Sequence, residues 1–322
     1  MKRENPFAHI YHACNESDSQ KKYENLALFP RYMDIELTNY CNFRCLMCPT
    51  GTHTFQREAG FMSDEIYAKI LEEIKEYKTP LRFIRWGEPL LHKNFLKYLK
   101  MAKEQGILCH LNTNGSLIND EMINKIIDIG LESIKFSFQG IDSEGYRNVR
   151  NIDFFDSLIE VIAKLHKARG EKKYPFIHVS TTITSESLER VEAFKEKLSG
   201  ITDLVSSGRT IFEYVDQSKT KISEEEKERL KRLTAEENFE KRHPECPEVF
   251  DKLSINWDGT VTACCADFDN KMLIGDLRKD SLKNIWRCQK MENYRKILAG
   301  MHHEKLELCS YCFDYIELQK KA

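Results

Sequence analysis

The chain has 322 residues, of which 41% are hydrophobic and 31% charged, so it is long and apolar enough for one large and one smaller domain. Lysine and arginine number 49 against 51 acidic residues, and this balance argues against a protein that mainly binds nucleic acid. The N-terminus lacks the apolar core of a signal peptide, and no apolar run approaches the roughly 18 residues that cross a bilayer. We therefore expect a cytoplasmic protein with no membrane or nucleic-acid partner, whose 11 cysteines are metal ligands, reactive thiols or buried side chains rather than disulfides.

Strands and helices alternate along the first two thirds of the chain. We predict strands at 33–39, 81–86, 107–112, 133–138, 176–184 and 209–215. Helices are predicted between them at 63–77, 92–105, 119–129, 154–169 and 186–198. Such alternation predicts an α/β fold with a parallel sheet, helices outside it and right-handed crossovers. Six units rather than eight indicate a partial (β/α)6, TIM-like barrel with its site at the carboxyl ends of the strands.

The character of the sequence changes near residue 240. Residues 224–232 predict a highly charged, solvated helix, whereas 252–257 and 260–265 predict a hairpin that turns at Asp258-Gly259. We therefore expect an N-terminal extension, a barrel domain and a small cysteine-ligated domain, with the boundaries 1–30, 31–240 and 241–322.

Three cysteines follow the first predicted strand, at Cys41, Cys45 and Cys48. A structural zinc site prefers four ligands in two pairs, and His53 is the nearby residue that could complete a tetrahedron. Each iron of a four-iron cube takes one external ligand, so three cysteines leave one iron open to a bound molecule. The spacing alone leaves both alternatives open.

The C-x3-C-x2-C spacing after a first strand resembles the signature of the radical S-adenosylmethionine (SAM) superfamily, whose fold is a partial (β/α)6 barrel. The resemblance implies a [4Fe-4S] cluster on these cysteines and SAM on the open iron, from which reduction generates a 5′-deoxyadenosyl radical. Two further segments are similar to family motifs: RWGEPLL (85–91) resembles GGEP, and LNTNGSL (111–117) contains the TNG turn.

The resemblance also implies which residues bind the cofactor. Glu88 is expected to receive the amino group of SAM, and Met47 replaces the aromatic residue that commonly precedes the last cysteine. Arg150 lies where related enzymes hold an arginine near the cofactor carboxylate, and a surface arginine that caps a loop is the alternative. The implied cofactor-binding set is Met47, Trp86, Gly87, Glu88, Asn112, Asn114, Ser137, Gln139 and Arg150.

Four later cysteines resemble the SPASM/twitch extension of the same superfamily, through the spacing C-x12-G-x4-C followed by C-x2-C. The resemblance implies one closed auxiliary [4Fe-4S] cluster on Cys246, Cys264, Cys309 and Cys312. A zinc ribbon is the alternative. Cys265 could replace Cys264 as the ligand, because neighbouring side chains on a strand face opposite ways.

The combination implies a radical oxidoreductase that dehydrogenates a small polyhydroxylated molecule, of the sugar or aminocyclitol type. The auxiliary cluster would accept an electron, and a flavodoxin or ferredoxin would supply the reducing electron. A radical epimerase would instead need a thiol that donates a hydrogen atom, from among the four cysteines without an assigned role: Cys14, Cys109, Cys265 and Cys288. Cys109 is the candidate catalytic residue. The alternative is that Cys109 is an ordinary buried side chain of its strand.

Three other functions stay open at this stage. A peptide-modifying enzyme uses the same extension, but about thirty residues before the first strand are too few for the recognition domain that such enzymes often carry. The charge balance gives no support to an RNA-modifying enzyme. A non-enzymatic iron–sulfur electron carrier would not need the GEP and TNG motifs or an open iron.

Overall fold

The computed structural model describes residues 3–16, 18–235, 246, 248–310 and 312. Nine strands in these ranges form one sheet: β1 Tyr32–Ile35, β2 Leu81–Phe83, β3 Cys109–Thr113, β4 Ser133–Ser137, β5 Phe176–Ile183, β6 Leu204–Arg209, β7 Lys252–Ile255, β8 Thr260–Thr262 and β9 Leu273–Asp276. The described helices are α1 Ala8–Ala13, α2 Ser19–Glu24, α3 Asp64–Ile74, α4 Phe95–Glu104, α5 Asp120–Ile129, α6 Ser143–Arg150, α7 Phe155–Arg169, α8 Leu188–Ser199, α9 Glu224–Ala235, α10 Glu248–Asp251, α11 Leu282–Trp286, α12 Gln289–Ala299 and α13 Glu307–Ser310. Short 3-10 turns lie at Pro89–Leu91 and His303–Lys305.

The sheet has the order β6-β5-β4-β3-β2-β1-β7-β8-β9. Strands β1 to β6 are parallel to their neighbours, which confirms the predicted parallel α/β architecture. Strand β7 then pairs with β1, also in parallel, and β8 and β9 continue as antiparallel neighbours. The small C-terminal region therefore extends the barrel sheet directly, across the boundary that we expected at residue 240.

Local sequence signals explain most of the elements. Helix α3 begins where Ser63 accepts a hydrogen bond from the Ile66 amide, and its apolar stripe is buried against the sheet, as predicted. In β4, Ile134 and Phe136 are fully buried in the main core, while the intervening Lys135 faces the opposite side of the sheet.

The sixth strand was predicted in the wrong place. It lies at Leu204–Arg209, not at 209–215. Because β6 is an edge strand with a half-exposed sequence, LVSSGR, it lacks the apolar alternation that marks the other strands. Phe212 and Val215, which suggested a strand, instead pack in a small separate core with residues Leu46, Val149 and Leu230.

The N-terminal segment closes the amino-terminal end of the barrel. Phe7 is fully buried, and its ring meets the edge of His110 on β3 at a centroid distance of 5.7 Å. Phe7, Ile10 and Tyr32 form a separate core cluster at this end. No helix in the described ranges is long and apolar enough to span a membrane.

Candidate active site

The first cysteine loop follows β1. Cys45 is buried, whereas Cys41 and Cys48 are partly exposed. The loop folds on itself, since the Cys48 amide donates to the Cys45 carbonyl at 3.2 Å. Gly51 packs so closely on it that a Cβ there would lie 2.3 Å from the Cys45 carbonyl oxygen, so only glycine fits. The loop thus presents three thiols in a shape that depends on one glycine.

Arg150 lies against this loop. Its Nη1 is 3.7 Å from Cys45 Sγ, and its Nη2 donates to the Phe138 carbonyl at 3.1 Å. Burial raises the pKa of the Cys45 thiol, and the Arg150 charge opposes that shift. Since Arg150 is only 7% exposed, it is not the surface arginine of the alternative interpretation.

The GEP and TNG motifs meet through Glu88. Its carboxylate accepts hydrogen bonds from Thr113 Oγ1 at 2.7 Å, from the Asn114 amide at 2.8 Å and from the Leu90 amide at 3.2 Å. Burial raises its pKa, while these donors act in the opposite direction. Glu88 therefore organises the strand ends, and three of its acceptor positions are already occupied by the chain.

The GEP motif also packs against the backbone that leads into the first cysteine loop. The Glu88 amide donates to the Tyr40 carbonyl at 2.8 Å, and a Cβ on Gly87 would lie 2.1 Å from the Thr38 carbonyl oxygen. Asn114 joins the same assembly through a 2.9 Å hydrogen bond to Asn42 Oδ1. The three motifs that the sequence separates by dozens of residues are therefore one hydrogen-bonded unit.

Four other predicted cofactor residues lie in three places. Asn112 donates to Ser137 Oγ at 3.2 Å, so these two lie together at the strand ends. Gln139 is 1% exposed and bonds to Thr182 and Thr210, which gives it a role in joining β4 to its neighbours. Met47 is partly buried between the main core and the small core around Phe212.

The segment that follows β2 also reaches the second cysteine group. Trp86 donates from Nε1 to the Cys265 carbonyl at 3.1 Å. The Arg85 guanidinium donates to the carbonyls of Cys264 and Asp267 at 3.2 and 2.9 Å. The sequence analysis missed Arg85, although a signal lay next to it, because Trp86 stands where the GGEP motif often has its first glycine.

The second cysteine group surrounds a cavity of about 640 Å³. The cavity wall includes all four predicted auxiliary ligands: Cys246, Cys264, Cys309 and Cys312. Burial raises the pKa of Cys264, Cys246 and Cys309, and in each case a neighbouring late thiol raises it further: Cys246 for Cys264, Cys309 for Cys246 and Cys312 for Cys309. The hairpin around Gly259 and the segment near Cys309 therefore converge on one cavity.

Cys265 also reaches this cavity but faces the barrel. Its sulfur lies within 4.8 Å of carboxylate oxygens of Asp34 and Glu248. Lys252 Nζ is 2.8 Å from both of those carboxylates and already neutralises them. This orientation favours Cys264 rather than Cys265 as an auxiliary ligand.

The donor sets fit iron–sulfur clusters better than zinc. A tetrahedral zinc site would hold its sulfurs about 3.8 Å apart. Within the described ranges, the one group of three donors closer than 4.8 Å is that around Cys265, so neither predicted cysteine set has the spacing of a single-ion site. His53, the candidate fourth zinc ligand, instead lies 3.0 Å from Arg44. All-thiol sets of three and four match one open and one closed cluster.

Three of the spare thiols lie away from the site. Cys109 is fully buried on the helix-facing side of β3, and burial raises its pKa, so its position argues against a catalytic role. Cys288 caps α12 by accepting from the Met291 amide. The Cys14 carbonyl accepts from Lys22 within the N-terminal segment. Cys265 is left as the spare thiol that faces the barrel interior.

The face of the sheet opposite the helices, which we call the lumen, is polar and partly exposed. Its polar side chains at the level of β3 to β6 are Asn112, Lys135, Ser137, His178, Ser180 and Ser206, and Leu204, which pairs with His178 at the edge strand, is the apolar residue beside them. Burial and the nearby Lys135 lower the pKa of His178 to about 4, so this imidazole is neutral at pH 7. Deeper in the lumen, Arg82 forms a bidentate ion pair with Asp34 at 2.6 and 2.9 Å. Such a wall suits a hydroxylated ligand better than an apolar one.

Comparison with known proteins identifies both halves of this architecture. Residues 35–198, about half of the chain, match the family model described as the radical SAM superfamily. Residues 246–313 match the model of the SPASM iron–sulfur cluster-binding domain.

Named relatives differ in how much of the chain they share. A Pyrococcus furiosus protein, the tungsten-containing aldehyde ferredoxin oxidoreductase cofactor-modifying protein, is 29% identical over 50% of this chain and 46% of its own length. The chain thus spans about half the length of the first curated relatives it matches. The S-adenosyl-L-methionine-dependent 2-deoxy-scyllo-inosamine dehydrogenase of Niallia circulans is 22% identical over 87% of this chain and 91% of its own length.

Solved structures show the same fold. BtrN in complex with AdoMet and 2-DOIA has a TM-score of 0.58 at 17% identity, covering 89% of this chain and 94% of BtrN. Streptococcus suis SuiB bound to S-adenosylmethionine has a TM-score of 0.65 at 17% identity, covering 96% of this chain and 78% of SuiB.

Proposed function

The chain belongs to the radical SAM superfamily and carries a SPASM iron–sulfur domain, and from this premise we propose that it is a dehydrogenase of a small polyhydroxylated substrate, of the sugar or aminocyclitol type. The observation that carries the proposal is the polar lumen. Cys265 links it to the cavity of the four late cysteines, because this residue lines that cavity and its sulfur lies within 4.8 Å of an Asp34 carboxylate oxygen. The full-length similarity to the Niallia circulans dehydrogenase supports the same substrate class.

The two domains bind a SAM-ligating [4Fe-4S] cluster and an auxiliary cluster. When bound, these groups supply one-electron cleavage of SAM, a carbon radical that removes hydrogen from substrate, and an electron acceptor. We assign the first cluster to Cys41, Cys45 and Cys48. We assign the second to the late set, Cys246, Cys264, Cys309 and Cys312.

The chain's own residues then position the reacting groups. Arg150 lies beside the first cysteine loop, and Glu88 fixes the strand ends around it. Arg85 and Trp86 hold the carbonyls of Cys264 and Cys265, so the same strand end positions both cysteine groups. The hydroxyl and amide side chains of the lumen can donate to and accept from substrate hydroxyls, which orients one carbon toward the site.

The proposal is tested by turnover of the anaerobically reconstituted protein with SAM, a reductant such as flavodoxin or ferredoxin, and a panel that includes 2-deoxy-scyllo-inosamine and related polyols. A dehydrogenase forms 5′-deoxyadenosine together with a ketone that has lost two hydrogens. A product of unchanged composition that carries solvent deuterium on carbon would contradict dehydrogenation, and so would reaction with peptides alone.

One observation favours a second candidate, a radical epimerase. The Cys265 thiol faces the lumen beside Asp34 and Glu248, where it could return a hydrogen atom to a substrate radical. Substitution Cys265→Ala separates the two functions. An epimerase would lose solvent-deuterium incorporation, whereas a dehydrogenase would keep forming its ketone.

A further inference from the structure

Lys135 is the charged side chain in the middle of the lumen wall. On β4 it lies between the buried residues Ile134 and Phe136, which face the helices, so its own side chain faces the lumen. In the sheet register it stands between Asn112 of β3 and His178 of β5. Any ligand that enters the lumen at this level meets these three side chains.

The carboxylates of the lumen are already paired with other cations. Asp34 binds both Arg82 and Lys252, and Lys252 also binds Glu248 at 2.8 Å. Glu36, directly after β1, forms a bidentate pair with Arg57 at 3.0 and 2.9 Å and has Arg85 at 3.8 Å.

Lys135 has no such partner. Across the described part of the chain, no hydrogen bond or ion pair joins its ammonium to another residue. Burial is the main cause of the lowered pKa of Lys135; Arg82 and Lys252 lower it further, whereas Asp34 and Cys265 oppose the shift. A half-buried ammonium without a counter-charge is costly, and its three donors remain free for a ligand.

The neighbours of Lys135 do not supply the missing charge. His178 is neutral at pH 7, and its Nε2 is engaged with Ser206 Oγ at 2.8 Å. Asn112 is uncharged, and its Oδ1 is buried without a hydrogen-bond partner among the described residues. The wall therefore offers one cation and, beside it, one free acceptor.

We propose that the lumen binds a substrate that carries an anionic group, a carboxylate or a phosphate ester, and that Lys135 holds this group while Asn112 accepts from an adjacent hydroxyl. The inference deepens the proposed function, on whose substrate site it rests. A charge-assisted hydrogen bond to Lys135 would fix one end of the substrate and so select which carbon faces the cofactor.

Protection of Lys135 from chemical modification tests this inference without turnover. The anaerobic holoenzyme is reductively methylated with formaldehyde and dimethylamine–borane, and modification of each lysine is read by peptide mass spectrometry. Inorganic phosphate, acetate, glucose 6-phosphate, glucuronate and glucose are compared with chloride at equal ionic strength. We expect at least one of the four anions to slow methylation of Lys135 roughly tenfold, with no effect on the exposed Lys100. The phosphate and carboxylate arms identify which anion the site prefers.

Equal methylation of Lys135 in all solutions would overturn the inference, and so would a Lys135 that the reagent cannot reach. The variant Lys135→Met, with unchanged iron content as the control for folding, should lose any preference for glucose 6-phosphate or glucuronate over glucose in equilibrium binding. Lys135→Arg should retain it. A protein that shows anion protection but produces no ketone would contradict the proposed function and leave this inference standing.

Discussion

At the scale of single residues, two adjacent cysteines have different surroundings. Cys264 lies with the other thiols of the late set, whereas Cys265 faces Asp34, Glu248 and the lumen. A pattern of spacings cannot make this distinction, because it depends on which way each side chain leaves the backbone.

Substitution of each cysteine separates their roles. Cys264→Ala should lower the iron content from about eight to about four atoms per chain, because the auxiliary cluster loses one of four ligands. Cys265→Ala, the matched control, should keep about eight. Iron and sulfide analysis of the anaerobically reconstituted proteins measures both. The reverse pattern would make Cys265 the ligand.

The reactivity of Lys135 should depend on pH in a defined way. Burial and the charge of Arg82 lower its pKa from 10.5 to about 8. Below that pH it is an unreactive ammonium, and above it the free amine is methylated, so the modification rate should rise most steeply near pH 8. Lysine-resolved mass spectrometry over pH 7–10 measures the midpoint. A midpoint near the ordinary value would show that the side chain is solvated.

At the scale of elements, the first cysteine loop depends on close packing against Gly51. A Cβ at residue 51 would lie 2.3 Å from the Cys45 carbonyl oxygen and 2.5 Å from its amide nitrogen, both of them backbone atoms that cannot move aside alone. The loop must therefore shift if any side chain is introduced there.

The variant Gly51→Ala should fail to bind the first cluster but still bind the second. Its iron content should therefore fall to about four atoms per chain, and SAM cleavage should be lost. Gly200→Ala is the control, because a Cβ there would contact nothing within 4 Å. Iron analysis and 5′-deoxyadenosine formation measure the outcome. Full iron content and normal cleavage in Gly51→Ala would show that the loop is not constrained in this way.

Elements with a strong periodic signal could be predicted from the sequence, and weak ones could not. Helix α3 was predicted because Ser63 caps an apolar stripe, and β3 because its core side chains alternate with polar ones. Strand β6 was misplaced because it pairs with β5 alone and buries little apolar surface. The apolar residues near Phe212 belong to a loop that packs on the barrel, which only tertiary structure reveals.

At the scale of the whole molecule, the N-terminal segment, the barrel and the C-terminal strands are joined through one sheet. Strand β7 pairs with the edge of β1 that β2 leaves free. The segment around Phe7 closes the lumen at the amino-terminal end of the barrel strands. The motifs predicted the family correctly, because family signatures are local. Links such as Arg85 to Cys264, or the isolation of Lys135, join distant residues and carry no local pattern.

Removing the buried side chain of the N-terminal segment should destabilise the whole barrel. Phe7 is fully buried, and Phe7→Ala should lower the free energy of unfolding by about 3–5 kcal/mol. Leu28→Ala, at a side chain that is 80% exposed, should change it by less than about 0.5 kcal/mol. Urea unfolding followed by far-ultraviolet circular dichroism, under anaerobic conditions, measures both. Equal stability of the two variants would mean that the N-terminal segment does not pack on the barrel.

The most direct measurement reads the cofactors themselves. The anaerobically reconstituted protein should hold about eight irons per chain and, once reduced, convert SAM to 5′-deoxyadenosine. Substitution of Cys41, Cys45 and Cys48 by alanine should leave about four irons and abolish the conversion. A purified protein that binds no iron–sulfur cluster, or that leaves SAM intact when reduced, would contradict the assignment of both cysteine groups.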